Sequence, residues 1–220
     1  MNLSPLLLIS DVERVGEERF LSALEAAISA GLRMLQVREP GWSEKRLRGL
    51  VSRVRERVRD SVPEALPDVL LVLNRRPGQP VELASELDMD GVHLGGGSPE
   101  RVAAARAVLG PKQLVGYSAH ELSELVEAAE GGATYGSYSP VFGALSKEHP
   151  LPSVGLVGLE LACRRAPLPV YALGGVTPEH AGRLRRSGAA GAAMIGSILD
   201  VPDPAVAVRA FLLGWETARA

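Results

Sequence analysis

The stretch that decides the fold is Val-Tyr-Ala-Leu-Gly-Gly-Val at positions 170–176, a short apolar run that ends in two glycines. Seven similar runs of four to six mostly apolar residues occur along the chain, bounded by Gly, Pro, Ser or Asp. Apolar runs without polar alternation are typical of strands buried on both faces, as in a parallel sheet. The predicted strands are 6–10, 33–38, 69–74, 91–94, 114–118, 134–138, 170–173 and 192–196.

Amphipathic segments separate these strands. In the second one, Leu47, Leu50, Val51, Val54 and Val58 recur at helical spacing and share one face. Eight such βα units in 220 residues predict an α/β fold of the (β/α)8 TIM-barrel type. A doubly wound sheet is the alternative, but the evenly spaced units leave no topological break. Since no linker or shift in composition interrupts the chain, residues 1–220 are predicted to form a single domain.

Composition excludes several classes of protein. With 24 basic and 26 acidic residues, the formal charge is −2, which gives no overall attraction to nucleic acid. The arginines between positions 46 and 59 share the polar side of their helix with Glu44, Glu56 and Asp60, which is typical of a solvated helix face. The single cysteine, Cys163, rules out a disulfide framework, and no apolar run approaches the roughly 20 residues of a membrane span. We therefore expect a cytoplasmic protein that binds neither nucleic acid nor membranes.

Glycines after the last two strands predict a phosphate site. In a barrel of this type, functional residues follow the carboxyl ends of the strands, and the loops after strands seven and eight often hold phosphate. Gly174 and Gly175 follow the seventh strand, and Gly196 and Ser197 follow the eighth. Their backbone N–H groups could approach an anion closely. The alternative is that these glycines only form tight turns.

Two residues in other loops are candidates for chemistry or charge. His120 ends the fifth strand, where an imidazole could transfer a proton near neutral pH or simply lie on the surface. Lys147 is one of three lysines among the 24 basic residues, and its compact charge could bind an anion or be solvated. It lies in the long loop 139–152, a candidate lid. His93 is expected to be an interior residue with satisfied hydrogen bonds.

The motifs at the strand ends, taken in order, resemble the thiamin phosphate synthase/TenI superfamily. No single motif is decisive, but eight in this order are specific, and they cover nearly the whole chain. The resemblance implies a phosphorylated thiazole as the small-molecule ligand and a homodimer as the assembly. The motifs are LLISD (7–11), QVREP (36–40), LNRR (73–76), GVHLG (91–95), GYSAH (116–120), YSPVF (138–142) with Ser-Lys (146–147), ALGGV (172–176) and MIGSI (194–198).

This chain departs from one pattern of the superfamily at three positions, and these departures indicate which branch it resembles. Thiamin phosphate synthases join a pyrimidine diphosphate to a thiazole phosphate, with Mg²⁺ holding the diphosphate. Their pattern has a lysine where this chain has Pro40, and metal-binding aspartates where it has Arg75 and Ser98. Because Mg²⁺ needs anionic oxygen ligands, we expect this metal site to be lost. No metal or other cofactor is then expected, and Mg²⁺ would be required only if the chain were a synthase.

This chain keeps the glycines expected to bind the thiazole phosphate but lacks the residues expected to bind the pyrimidine diphosphate. Such a site resembles that of the TenI branch, the thiazole tautomerases. The resemblance implies an isomerase that aromatises a carboxythiazole phosphate, with His120 as the catalytic acid and base. Two alternatives remain: a divergent thiamin phosphate synthase, and a non-catalytic regulatory protein that binds a phosphorylated ligand. The expected substrate- or phosphate-binding residues are Gln36, Arg38, Asn74, Arg75, Ser118, Lys147, Gly174, Gly175, Gly196 and Ser197.

Overall fold

Eight parallel strands form a closed barrel in the computed structural model, which describes residues 3–62, 68–143 and 152–218. The strands pair in chain order, and β1 pairs with β8 to close the barrel. The predicted (β/α)8 fold is therefore confirmed, and the ends of each predicted strand lie within two residues of the observed ends. The strands are β1 Leu6–Ile9, β2 Met34–Val37, β3 Leu70–Arg75, β4 Gly91–Leu94, β5 Leu114–Ala119, β6 Tyr135–Tyr138, β7 Val170–Ala172 and β8 Gly191–Met194.

Helices surround the barrel. They include two four-residue helices, α1 and α9, that the sequence pattern did not predict. No helix of the described ranges is long and apolar enough to cross a membrane. The helices are α1 Val12–Val15, α2 Glu17–Ser29, α3 Glu44–Ser61, α4 Glu82–Glu86, α5 Arg101–Leu109, α6 Leu122–Glu130, α7 Gly155–Arg165, α8 Ala181–Arg186, α9 Gly196–Leu199 and α10 Pro204–Thr217, with a 3₁₀ helix at Pro178–His180.

Two apolar layers bury both faces of the strands. The inner layer fills the barrel, where the rings of Tyr135 and Tyr171 meet edge to face at 5.6 Å between centroids. The outer layer lies between strands and helices and includes Leu71, Leu73 and Tyr117. Successive side chains of a strand point to opposite faces, so each apolar run contributes to both layers.

Helix α3 shows how the helices cover the barrel. Leu47, Leu50, Val51 and Val54 are buried in the outer layer, as their spacing predicted, and Val58 is half-buried against it. The opposite face carries exposed ion pairs, among them Arg57 with Glu25. Such exposed pairs contribute about 0–1 kcal/mol each to the free energy of unfolding, so they add little to the stability of the barrel.

All strands run in the same direction, so their carboxyl ends and the loops that follow form one rim, which we call the mouth. The register β2–β3 aligns Val37 with Leu73 and so places Arg38 next to Asn74 at this rim. Because Val72 lies in the inner layer, Asn74 also points into the barrel, and Arg75 points outward.

Candidate functional site

Gln36 and Asn74 form the polar floor of the mouth at β2 and β3. The side-chain amide of Asn74 donates to Gln36 Oε1 at 3.4 Å and to the carbonyl oxygen of His93 at 3.2 Å. Gln36 is 2% exposed, and its Nε2 group is buried without a hydrogen-bond partner among the described residues. An unsatisfied buried donor costs about 1–3 kcal/mol, so this amide is suited to donate to a ligand.

Arg38 lies above this floor and is half-buried. Its backbone N–H donates to Ser10 Oγ at 2.8 Å, whereas its guanidinium forms no hydrogen bond or ion pair within the described ranges. Burial lowers the pKa of Arg38, and the positive charge of Arg76 lowers it further, while Asp11 and Glu39 act in the opposite direction. The mouth therefore has a cationic side chain available at β2.

Glu39, whose role the sequence did not reveal, is a structural residue. One carboxylate oxygen accepts from Ser10 Oγ at 2.5 Å and from the N–H of Val12 at 2.9 Å, and the other accepts from the N–H of Glu13 at 3.2 Å. Glu39 thus caps the first turn of α1 and holds the loop after β2 against the loop after β1. The signal that could have identified it is a carboxylate placed directly after a buried strand.

Arg75 is not brought together with Gln36 and Asn74. It is 2% exposed, and its Nε–H donates to the carbonyl oxygen of Pro80 at 2.9 Å, on the outer side of β3. This contact closes the loop 76–80, while Arg76 is exposed at the rim. A substrate contact for Arg75 stays a prediction, and Arg75 is not part of the polar floor.

His93 and Ser118 form a hydrogen-bonded chain inside the barrel. His93 Nδ1 lies 3.0 Å from the hydroxyl of Tyr135, and Nε2 lies 2.8 Å from Ser118 Oγ. Burial and the charge of Arg38 lower the pKa of His93 to about 3, so the ring is neutral at neutral pH. The expectation of an interior histidine with satisfied hydrogen bonds is confirmed. These hydrogen bonds hold the Ser118 hydroxyl in position at the mouth.

His120 lies exposed at the end of β5. Its Nδ1 is 2.8 Å from the carbonyl oxygen of Ser139. Because a carbonyl only accepts, Nδ1 carries the proton in this contact and Nε2 is the acceptor of the neutral ring. No hydrogen bond within the described ranges joins His120 to Ser118 or to the glycines of the phosphate site. A catalytic role for His120 stays a prediction.

Gly174 and Gly175 shape the opposite side of the mouth. Both have positive φ, 93° and 63°. A Cβ atom at Gly174 would lie 2.8 Å from Pro140 Cα, and one at Gly175 would lie 2.5 Å from the carbonyl oxygen of Gly143. Only glycine fits both the backbone conformation and the space. The loop after β6 therefore packs directly on these two residues.

The ends of β7 and β8 are tied together. Ser197 Oγ donates to the carbonyl oxygen of Val176, so the hydroxyl is already engaged. Gly196 and Ser197 begin α9, and the first N–H groups of a helix have no partner within it. Backbone N–H groups, rather than the Ser197 hydroxyl, are therefore the donors available to an anion here. Lys147 and most of the predicted lid lie outside the described residues.

The residues at the mouth do not fit the two-carboxylate magnesium site of the synthase pattern. The backbone N–H of Ser98 donates to the hydroxyl of Tyr117 at 3.1 Å. Burial raises the pKa of the nearby Glu124, but hydrogen bonds led by the N–H of His120 outweigh this effect and lower it. Glu124 is thus occupied by protein donors, and the described ranges contain no group of three His, Cys, Asp or Glu residues able to hold a metal ion.

Comparison with known proteins identifies one family and similar sequences named thiamine-phosphate synthase. The family model described as thiamine monophosphate synthase matches residues 6–198. The thiamine-phosphate synthase of Roseiflexus castenholzii is 32% identical over 210 residues, covering 92% of this chain and 84% of that protein. The thiamine-phosphate synthase of Desulfitobacterium hafniense strain Y51 is 30% identical over 211 residues, covering 96% of both chains.

A solved structure supports the fold. The thiamine phosphate pyrophosphorylase from Pyrococcus furiosus superposes with a TM-score of 0.79, covering 98% of this chain and 96% of that chain. Its sequence identity is 24%, so this similarity concerns the fold alone.

These relatives correct the functional expectation drawn from the sequence. The thiazole tautomerase hypothesis, with its isomerase activity, is wrong, because similar proteins at 30–32% identity are named thiamine-phosphate synthase. The same finding favours the alternative given above, a thiamin phosphate synthase. The absence of carboxylates at positions 75 and 98 therefore does not by itself exclude the synthase reaction.

Proposed function

Since this chain belongs to the thiamine monophosphate synthase family, we propose that it is itself a thiamine-phosphate synthase. In this reaction, the thiazole ring nitrogen attacks the methylene carbon of a pyrimidine diphosphate. A C–N bond forms, the C–O bond to the diphosphate breaks, and pyrophosphate leaves with the bonding electrons. No oxidant or reductant is needed.

One observation carries the proposal: the buried Gln36 Nε2 group without a partner lies on the floor of a mouth that also holds the glycine loops of β7 and β8. An aminopyrimidine has ring nitrogens that accept hydrogen bonds, and such an acceptor would satisfy this donor. A buried donor left unpaired discriminates strongly against ligands that lack the acceptor. We therefore assign the pyrimidine to the Gln36 and Asn74 side.

The glycine side is assigned to the thiazole phosphate. The N–H groups of Gly174 and Gly175 have no hydrogen-bond partner in the described ranges, and the N-terminus of α9 adds further free donors. Backbone donors in this arrangement suit a phosphate monoester. Binding both substrates across one mouth orients the ring nitrogen toward the methylene carbon, and such positioning can supply several kcal/mol of barrier lowering.

Ser118 and His120 line the mouth between the two halves, and we propose that they contact the substrates. The contact of His93 with Ser118 Oγ at 2.8 Å fixes the hydroxyl in place. These residue assignments are proposals. We also propose that Lys147 binds a substrate, that the protein forms a homodimer and that it is located in the cytoplasm.

A turnover assay tests the proposal. The purified chain is mixed with the hydroxymethylpyrimidine diphosphate and the thiazole phosphate, with and without Mg²⁺, and thiamine phosphate and pyrophosphate are quantified. We expect the two products in equal amounts. If the protein binds the thiazole phosphate but yields no product under either condition, the proposal is wrong and the regulatory alternative is favoured.

A further inference from the structure

The mouth offers a diphosphate cationic side chains rather than carboxylates for a metal ion. Arg75 and Ser98 stand where the synthase pattern has metal-binding aspartates, so both negative charges are absent. Arg75 lies on the outer side of β3 and donates to Pro80, so its own charge is not presented to the floor of the mouth. The arginines at the rim beside the floor are Arg38 and Arg76.

We propose that Arg38 and Arg76 hold the diphosphate directly, without a divalent cation. This inference rests on the proposed function for the identity of the substrate. Strand register places the two arginines at adjoining strand ends, Arg38 just after β2 and Arg76 just after β3. Two guanidinium groups together offer ten N–H donors in planar arrays that match phosphate oxygens.

The loop after β3 fixes the position of Arg76. The backbone N–H of Arg76 donates to Gln79 Oε1 at 2.9 Å, and the N–H of Gln79 donates back to the Arg76 carbonyl at 3.1 Å. Arg75 closes the same loop through its contact with Pro80. The arginine at the former aspartate position therefore does not need to touch the diphosphate, because it anchors the loop that presents Arg76.

The charges around Arg38 leave it available for an anion. The Arg38 guanidinium has no partner among the described residues, and the positive charge of Arg76 acts on it. Two carboxylates, Asp11 and Glu39, are close enough to act on it as well. Asp11 forms an ion pair with Arg14 at 2.5 Å, and Glu39 accepts from Ser10 and two backbone N–H groups. Both carboxylates are thus engaged elsewhere.

Binding of inorganic pyrophosphate tests this inference. Isothermal titration calorimetry is performed on the full chain with the thiazole phosphate at saturation, so that the glycine loops are occupied, in EDTA and in Mg²⁺. We expect binding in EDTA within a few-fold of that in Mg²⁺. Arg76→Ala should weaken binding in EDTA about tenfold, as for loss of a charge-assisted contact. Arg59→Ala, on the exposed end of α3, is the matched control and should bind like the wild type.

The outcomes separate this inference from the proposed function. Binding that requires Mg²⁺, or an Arg76→Ala variant that binds like the wild type, overturns the inference even if turnover is observed. Arg76-dependent binding in EDTA supports it even if the turnover assay yields no thiamine phosphate, in which case the proposed function alone fails.

Discussion

At Gln36, we expect the requirements of folding stability and of ligand binding to oppose each other. Its Oε1 accepts one long hydrogen bond, and its buried Nε2 has no described partner. Residues that serve a ligand often leave such groups unsatisfied in the free protein, at a cost in folding free energy.

Gln36→Met removes the unsatisfied donor and keeps much of the side-chain volume. We expect the free energy of unfolding to stay equal or rise by about 1 kcal/mol, because an unpaired buried group disappears. Synthase activity at a fixed low concentration of pyrimidine diphosphate should fall about a hundredfold. Urea unfolding and initial rates measure the two effects. Gln113→Met, far from the mouth, is the control and should retain activity; equal activity in both variants would contradict the assignment.

His93 makes folding stability depend on pH. Its pKa is about 3 in the folded protein and 6.5 in the unfolded chain, so below pH 6.5 the unfolded chain binds a proton that the folded protein does not. The contribution of His93 to the free energy of unfolding is fully present above pH 6.5 and is lost as the pH falls toward 3. Between pH 7 and pH 5 the loss is about 2 kcal/mol.

The measurement is urea unfolding of the wild type and of His93→Gln at pH 7 and pH 5. Glutamine does not titrate, so the variant should lose about 2 kcal/mol less than the wild type over this interval. The same loss in both proteins would show that His93 is protonated in the folded state.

At the scale of elements, β5 depends on a glycine to accommodate the buried hydrogen-bonded chain. A Cβ atom at Gly116 would lie 2.3 Å from Tyr135 Cζ and 2.5 Å from His93 Nδ1. Gly116→Ala should therefore destabilise the barrel by about 1–3 kcal/mol. Gly95→Ala is the control, because a Cβ there meets nothing within 4 Å. Equal thermal midpoints for the two variants would contradict the packing described.

The loop after β7 offers a second test. Gly175→Ala combines a φ of +63° with a clash against the Gly143 carbonyl. We expect the KM for the thiazole phosphate to rise about tenfold or more, because the donors move, and the KM for the pyrimidine diphosphate to change little. Gly110→Ala, with a φ of +75° and nothing within 4 Å of the added Cβ, is the control for a side chain at positive φ without a clash. A similar KM increase in that control would remove the evidence for a phosphate site here.

The sequence predicted the eight strands because each is a dense apolar run ended by glycine or a polar residue. It did not predict α1 and α9, since four residues are too few to show helical periodicity. It also did not show that Arg75 points outward. Because both faces of the strand are buried, apolar residues occupy both faces, and the sequence does not show which face is the outer one. In the structure, Leu71 and Leu73 point to the outer layer, and Arg75 lies on the same face.

At the scale of the whole molecule, one barrel rim brings together two chemically different sides. The β2–β3 side has an amide donor and arginines, and the β7–β8 side has backbone donors and glycines that exclude side chains. The family model spans both, since it matches residues 6–198. The sequence located these loops, but the hydrogen-bond partners of Gln36, Glu39 and Ser197 required the structure.

A crystal structure of the chain with the thiazole phosphate and inorganic pyrophosphate tests the two-sided mouth most directly. The account predicts the phosphate within hydrogen-bond distance of the N–H groups of Gly174, Gly175 or Gly196, and the pyrophosphate next to the guanidinium groups of Arg38 and Arg76. A phosphate bound away from the glycine loops, or both anions on the same side of the barrel, would contradict it.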